Sequence, residues 1–218
     1  MKEILWDSIY LGSPYAKYPG DVFVYFMEES FQYTNTNCLS LMEVGCGPGS
    51  HLLYAQSKGF EVFGIDGSNT AVQLCRERLT NQNRLWRGEI VVGDFVKLTW
   101  EDEVFDVVVD NEAIYCNSYE DSKEAYKEMY RVCRPGGKFF SRTFAVGSYG
   151  DGLGEKVGHN AWLCSEGPLK GKGYSRFTEF DEIKDLVGDF KITRIELLKR
   201  TVQNMKYEIK EWVIFGEK

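Results

Sequence analysis

The sequence predicts an α/β protein with a mostly parallel sheet and helices on both of its faces, and two observations predict it. Short apolar runs at 39–44, 60–65, 89–92, 104–109 and 137–145 alternate with segments of helical spacing at 50–58, 68–82 and 119–133. Strands that alternate with helices pair in parallel through right-handed crossovers. The two last strand-like runs, 190–198 and 206–216, have only a short connection between them and so form an antiparallel hairpin.

Each element has its own signal. Residues 1–20 mix Trp6, Tyr10, Tyr15 and Tyr18 with Gly12, Pro14, Pro19 and Gly20, which reads as an irregular arm leading into a helix over 21–33. The first strand, Leu39-Ser40-Leu41-Met42-Glu43-Val44, runs into Gly45-Cys46-Gly47-Pro48-Gly49, and the second, Glu61-Val62-Phe63-Gly64-Ile65, is closed by Asp66. Gly93-Asp94-Phe95 follows the third strand, and the fourth is Phe105 to Asp110, with Asp106 serving the strand boundary. In the helix over 119–133, Ala125, Met129, Val132 and Cys133 recur at helical spacing, while Lys123, Glu124, Lys127, Glu128 and Arg131 supply the wet face. A Pro135-Gly136-Gly137 turn leads into the fifth strand. Residues 146–176 then hold eight glycines with little periodicity, which reads as a long lid-like loop. Order returns with a short helix over 178–187, and in the final strand Tyr207, Ile209, Glu211, Val213 and Phe215 share a face. No linker divides the chain, so a single domain over 1–218 is expected, with an arm and helix at 1–35 and an insertion at 146–176.

Composition excludes several classes. With a net charge of −7 the chain lacks the basic footprint of a nucleic-acid binder. No apolar run approaches the roughly 20 residues of a membrane span, and the N-terminus mixes charges too early for a signal peptide. Six scattered cysteines without a C-x-x-C pair read as free thiols in a reducing cytoplasm. With two histidines and no ligand spacing, no metal site is expected. Lys170-Gly171-Lys172, with Arg176 beyond, is a solvated loop or a site for an anionic group.

Strand, glycine turn, helix, strand and acid form the layout of a Rossmann-like nucleotide site, where missing Cβ atoms let the backbone approach a ligand. The spacing is G-x-G-x-G, whereas dinucleotide sites want G-x-G-x-x-G/A; Ser50 at the sixth position counts against NAD without excluding it. Over 39–144 this ordered set resembles the class I S-adenosylmethionine-dependent methyltransferases. That resemblance implies a Rossmann-like seven-stranded sheet ending in the antiparallel hairpin. It also implies that Glu43, Gly45, Gly47 and Gly49 surround the methionine half of the cofactor, and that Asp66 binds the ribose hydroxyls with Gly67 and Ser68 beside the adenine. Asp94 and Phe95 would hold the adenine, and Asn111 would offer its backbone carbonyl to the cofactor amino group. Tyr10 or Tyr18 of the arm would reach the carboxylate, or simply pack.

Catalysis leaves little trace in such a chain, because an activated methyl needs mainly positioning. Glu112 and Tyr115 fall where the family faces the transferred methyl. His159 is the candidate base, with a surface histidine as the ordinary alternative, and Tyr115 is the second catalytic candidate. Arg142 and Arg176 read as solvated or ion-paired arginines, or else as binders of an anionic substrate, and His51 reads as helix packing or capping. Asp110-Asn111-Glu112-Ala113 is not the Asn/Asp-Pro-Pro-aromatic motif of amino-methylating DNA enzymes, and no proline precedes a cysteine. A small-molecule acceptor attacked through oxygen or nitrogen is therefore expected, with S-adenosylhomocysteine as the product. The alternatives are a non-catalytic cofactor-binding or partner subunit and, disfavoured by glycine spacing and the lack of a Tyr-x-x-x-Lys pair, a nucleotide-dependent oxidoreductase.

Overall fold

The computed structural model describes residues 2–12 and 15–218. Pro14, read above as part of the arm, lies outside the described residues. Two helices, α1 (Lys2–Gly12) and α2 (Asp21–Phe31), precede β1 (Ser40–Val44). Then come α3 (Ser50–Ser57), β2 (Glu61–Asp66), α4 (Asn69–Gln82), β3 (Gly88–Val92), β4 (Phe105–Asn111), α5 (Tyr119–Val132) and β5 (Cys133–Phe144). The remainder is β6 (Gly154–Gly158), β7 (Ala161–Cys164), β8 (Tyr174–Arg176), α6 (Ile183–Val187), β9 (Lys191–Val202) and β10 (Tyr207–Glu217).

Seven strands form one sheet in the order β3-β2-β1-β4-β5-β10-β9, with β10 antiparallel to both neighbours and the other pairs parallel. The pleat divides the apolar residues between two cores. Leu41, Val62, Val107, Val109 and Phe140 face α2, α3 and α4 through Phe26, Leu52 and Val72. Met42, Val44, Ile65, Val108 and Phe139 face α5 and α6 through Tyr126, Met129 and Leu186. Strand order reverses between β1 and β4, and the crevice beyond their C-terminal ends is where an open α/β sheet takes its ligand.

The parallel strands and their helices lie within a residue or two of the predicted spans, because their apolar periodicity is long and clean. Three segments differ. The first half of the arm is helical: Leu5, Trp6, Ile9 and Tyr10 fall at helical spacing, and α1 packs on α4. Residues 146–176 are not an aperiodic loop but carry a second sheet, β6-β7-β8, whose strands of five, four and three residues are too short to show alternation. Pro135-Gly136-Gly137 sits inside β5 as a bulge, where register shifts between the Phe105–Cys133 and Val107–Lys138 pairs. Asp106 does serve the strand boundary: its Oδ2 accepts the Ser40 N–H at 2.8 Å and joins β4 to the start of β1.

Candidate active site

A cleft of about 860 Å³ opens at the switch point. Its floor is the turn after β1, its walls are the ends of β2, β4 and β5, and its roof is α1 with residues 168–172 of the insertion.

The three glycines of the turn all have positive φ and each meets a different neighbour. A Cβ on Gly45 would lie 2.2 Å from the Ala113 Cβ, and one on Gly47 2.9 Å from the Tyr10 hydroxyl. Gly49 caps α3 in the left-handed conformation, where a Cβ would lie 2.4 Å from the Cys75 sulfur. Gly45 and Gly47 thus line the cleft, whereas Gly49 keeps α3 tight against α4. Asp66 stands at the base of the turn with its Oδ2 accepting the Gly47 N–H and its Oδ1 the Ser68 N–H, both at 2.8 Å. Burial raises its carboxyl above the ordinary aspartate range, although both hydrogen bonds oppose this.

Around this base, Gly67, Asp94 and Phe95 line the cleft. The Asp94 carboxylate accepts the Val96 N–H at 3.1 Å, a local turn that aims the loop after β3. Ser68 is fully buried and does not line the cleft; it caps α4 and donates its hydroxyl to Asp7 of α1. Tyr10 reaches into the cleft over Gly47, where burial first and then the Asp66 charge raise its phenol, so the hydroxyl stays protonated. Tyr18 is 82% exposed at the rim.

The opposite wall begins with Glu43, which is 2% exposed. Its Oε1 meets His51 Nδ1 at 2.7 Å, and its Oε2 is buried without a partner. His51 Nε2 accepts the Gly20 N–H at 3.4 Å, so the proton of a neutral ring sits on Nδ1 and is donated to Glu43. Sequence reasoning assigned His51 to packing or capping, yet it lines the cleft. The signal was present, since a residue in the first turn after a glycine loop returns beside the end of the strand before it.

Buried Asp110 shapes the next segment. It accepts the Ala113 and Ile114 N–H groups, each at 3.1 Å, and the Ser141 hydroxyl at 2.7 Å. That turn holds Glu112 at φ +56, an unusual angle for a residue with a side chain, with its N–H bound to the Arg142 carbonyl at 2.8 Å. Arg142 Nε meets Glu112 at 3.1 Å while its Nη2 meets Glu211 of β10 at 2.5 Å. Arg200 of β9 also reaches the cleft. Glu211 and Arg200 escaped sequence reasoning because the register of β10 against β5 and β9 could not be read. The Asn111 side-chain oxygen is buried there without a partner.

The structure does not bring every candidate together. His159 lies outside the cleft, largely exposed, with its Nε2 paired to Glu182 and its ring edge-on to Tyr119 at 6.0 Å. Arg176 is 1% exposed and also outside the cleft; it is held by Thr178 at 3.2 Å and Ser122 at 3.3 Å. An interior position between β8 and α5 explains that arginine without a substrate. Tyr115 does line the cleft, 3% exposed and edge-on to Phe144 at 5.3 Å, and burial raises its phenol. It forms wall, with its hydroxyl protonated. Lys172 lines the roof 5.3 Å above the Trp6 ring, and burial lowers its amine.

Comparison with known proteins agrees with this geometry. The family model described as a methyltransferase domain matches residues 42–141. Among curated proteins, malonyl-[acyl-carrier protein] O-methyltransferase of Salmonella typhimurium is 33% identical over 53% of this chain and 43% of its own length. A phthiotriol/phenolphthiotriol dimycocerosates methyltransferase of Mycobacterium tuberculosis is 35% identical over 45% of this chain and 35% of its own. The chain therefore spans under half the length of these two relatives. Burkholderia thailandensis 1,6-didemethyltoxoflavin-N1-methyltransferase, solved with its namesake compound and S-adenosylhomocysteine, superposes with a TM-score of 0.67 at 16% identity, covering 91% of this chain and 77% of that one. The [4+2]-cyclase SpnF gives 0.69 at 16% identity, covering 99% and 92%. Sheet order, glycine turn and the family match over residues 42–141 agree with one another and point to a methyltransferase domain of the class I, S-adenosylmethionine-dependent kind.

The cleft fits that cofactor. Gly45 and Gly47 present bare backbone to it, Asp66 offers a carboxylate at a strand end, and the unpartnered Glu43 Oε2 is a buried acceptor awaiting a donor such as an ammonium.

Proposed function

We propose that the protein transfers a methyl group from S-adenosylmethionine to an oxygen or nitrogen of a small molecule, chiefly by positioning. The observation that carries this reading is the glycine turn braced by Asp66 beneath a cleft whose far wall holds the unpartnered Glu43 oxygen. When bound, S-adenosylmethionine supplies a methyl group already activated on a sulfonium. Asp66 then holds the ribose hydroxyls, Asp94 and Phe95 hold the adenine, and Glu43, steadied by His51, holds the ammonium end. Asn111 offers its backbone carbonyl to that same ammonium. Trp6 and Tyr10 of α1 cover the site and exclude water.

The acceptor enters between the Glu112–Arg142 wall and the apolar side formed by Tyr115, Phe144 and Leu169. Holding acceptor and methyl in line supplies roughly 7–11 kcal/mol of the barrier. Neither His159 nor Arg176 takes part, because neither reaches the cleft. We also place the protein in a reducing cytoplasm, in keeping with six scattered cysteines of which none falls in a C-x-x-C pair. No described helix is long and apolar enough to cross a membrane.

The test is incubation with methyl-labelled S-adenosylmethionine and a panel of amines, phenols and carboxylic acids, followed by mass spectrometry. Labelled product from the wild type, lost in Asp66→Ala, is expected. Cofactor binding without product from any acceptor would favour the alternative of a binding subunit.

A further inference from the structure

The wall from Glu43 to Glu211 is crowded with carboxylate oxygens, and its shortage is of well-placed donors: Arg142 Nε lies 3.1 Å from Glu112 without making a hydrogen bond. Asn111 Oδ1 is a buried acceptor without a partner, as is Glu43 Oε2 until the cofactor ammonium reaches it. Beside them Glu112 and Glu211 share one guanidinium, that of Arg142. Two carboxylates on one guanidinium cannot both ionise cheaply, and burial together with the neighbouring Glu211 favours the protonated form of Glu112. A ligand that brings donors and a positive charge relieves this shortage; an anion aggravates it.

We propose that the methyl acceptor is an amine that binds as its ammonium against Glu112 and Glu211, and that Glu112 takes the proton freeing its nitrogen lone pair. The inference rests on the methyl-transfer reading above. The ammonium displaces the proton shared by the pair to solvent. One N–H proton of the ammonium then moves to the Glu112 carboxylate. The freed lone pair forms the N–CH₃ bond as the C–S bond breaks, and the sulfur keeps that electron pair, becoming a neutral thioether. Charge and protons balance with no further reactant.

Geometry supports Glu112 in this role over other candidates. Its backbone is fixed at φ +56 by the Asp110 turn and the Arg142 carbonyl, so its carboxyl has a defined direction into the cleft. Burial, then the neighbouring Glu211, push that carboxyl up to about 8, near the range a useful base needs. Charged groups come from several elements around it, Asp21 of α2 acting on its partner Arg142. Arg142 of β5 and Arg200 of β9 favour its ionised form, and Glu211 of β10 opposes it. The His51–Glu43 pair stands behind Gly20, where a Cβ would lie 3.4 Å from Arg142 Nη1 and 4.0 Å from His51 Nε2. Arg142 is a positioning residue, since it acts through the two carboxylates it holds.

The experiment is calorimetry on the full chain saturated with S-adenosylhomocysteine, titrated with benzylamine, benzoate and benzyl alcohol at pH 7 in two buffers of different ionisation enthalpy. Benzylamine is expected to bind at least tenfold tighter than the other two and to release a proton on binding. Glu112→Gln and Glu211→Gln should each weaken benzylamine at least tenfold and abolish that release, with S-adenosylhomocysteine affinity within threefold of wild type. Preference for benzoate or benzyl alcohol, or benzylamine binding without proton release in the wild type, would overturn the amine assignment while leaving the cofactor reading intact. Failure of the wild type to bind S-adenosylhomocysteine would overturn both. The proton-release measurement needs no variant, so a substitution that impairs folding does not spare the proposal.

Discussion

Asp66 accepts the backbone N–H of Gly47 through Oδ2 at 2.8 Å, so the acid that closes β2 also fixes the middle of the glycine turn after β1. Its other oxygen holds the Ser68 N–H and sets the start of α4. One residue thus joins fold and site. Asp66→Ala leaves two buried N–H groups unpaired and should cost about 2–4 kcal/mol of stability. Asp66→Asn retains one acceptor and should cost about half as much. Urea denaturation of the three proteins gives the order, and equal stabilities would show that the turn stands without Asp66.

Gly45 is fixed from across the cleft. Its φ of +59, and the 2.2 Å that would separate an added Cβ from the Ala113 Cβ, make Gly45→Ala strained twice over. The variant should lose about 2 kcal/mol or more and bind S-adenosylhomocysteine at least tenfold more weakly. Adding Ala113→Gly removes the clash but not the backbone strain, so the double variant should recover part of the loss. A double-mutant cycle on stability reads this directly; no recovery would mean that Ala113 does not set the turn.

His51 and Glu43 form a buried pair, and removing the ring strands a carboxylate that is 2% exposed. His51→Ala should therefore destabilise the fold by about 2 kcal/mol. Adding Glu43→Gln removes the stranded charge, so the double variant should be more stable than His51→Ala alone. Thermal denaturation distinguishes this from simple loss of packing, for which the second substitution would bring no recovery.

Asp110 should give the protein a pH-dependent stability. Burial raises its carboxyl from the ordinary 3.8 to about 6, against the pull of Ser141 and the two backbone N–H groups. Between those values the folded chain keeps a proton that the unfolded chain has released. Stability from this group is therefore greatest below pH ~4 and falls as pH rises toward 6, by about 1.4 kcal/mol per pH unit. Asp110→Asn should lack that slope. Parallel profiles for wild type and variant would contradict the assignment.

The parallel sheet, and the end of the cleft proposed for the cofactor, were legible because their signals are local. Gly45, Gly47 and Asp66 each sit at a strand end whose apolar run identifies it. The acceptor end was not, because it is assembled from long-range pairings: Arg142 from β5, Arg200 from β9 and Glu211 from β10 meet only once the antiparallel register is set. Glu112 could be nominated from its place after β4, but not its partners. His159 misled for a related reason, since a glycine-rich segment reads as a mobile lid when its three strands are too short to alternate. In α1 the Trp6–Tyr10 and Leu5–Ile9 spacings were present, masked by the aromatics and turn formers that follow.

Everything proposed for the acceptor depends on the cleft beneath Asp66 holding S-adenosylmethionine. Calorimetric titration of wild type and Asp66→Ala with S-adenosylhomocysteine, and separately with NADH, puts that occupancy to the test. Micromolar binding of S-adenosylhomocysteine is expected, at least a hundredfold weaker in Asp66→Ala, with no comparable affinity for NADH. Absence of S-adenosylhomocysteine binding, or a preference for NADH, would refute it.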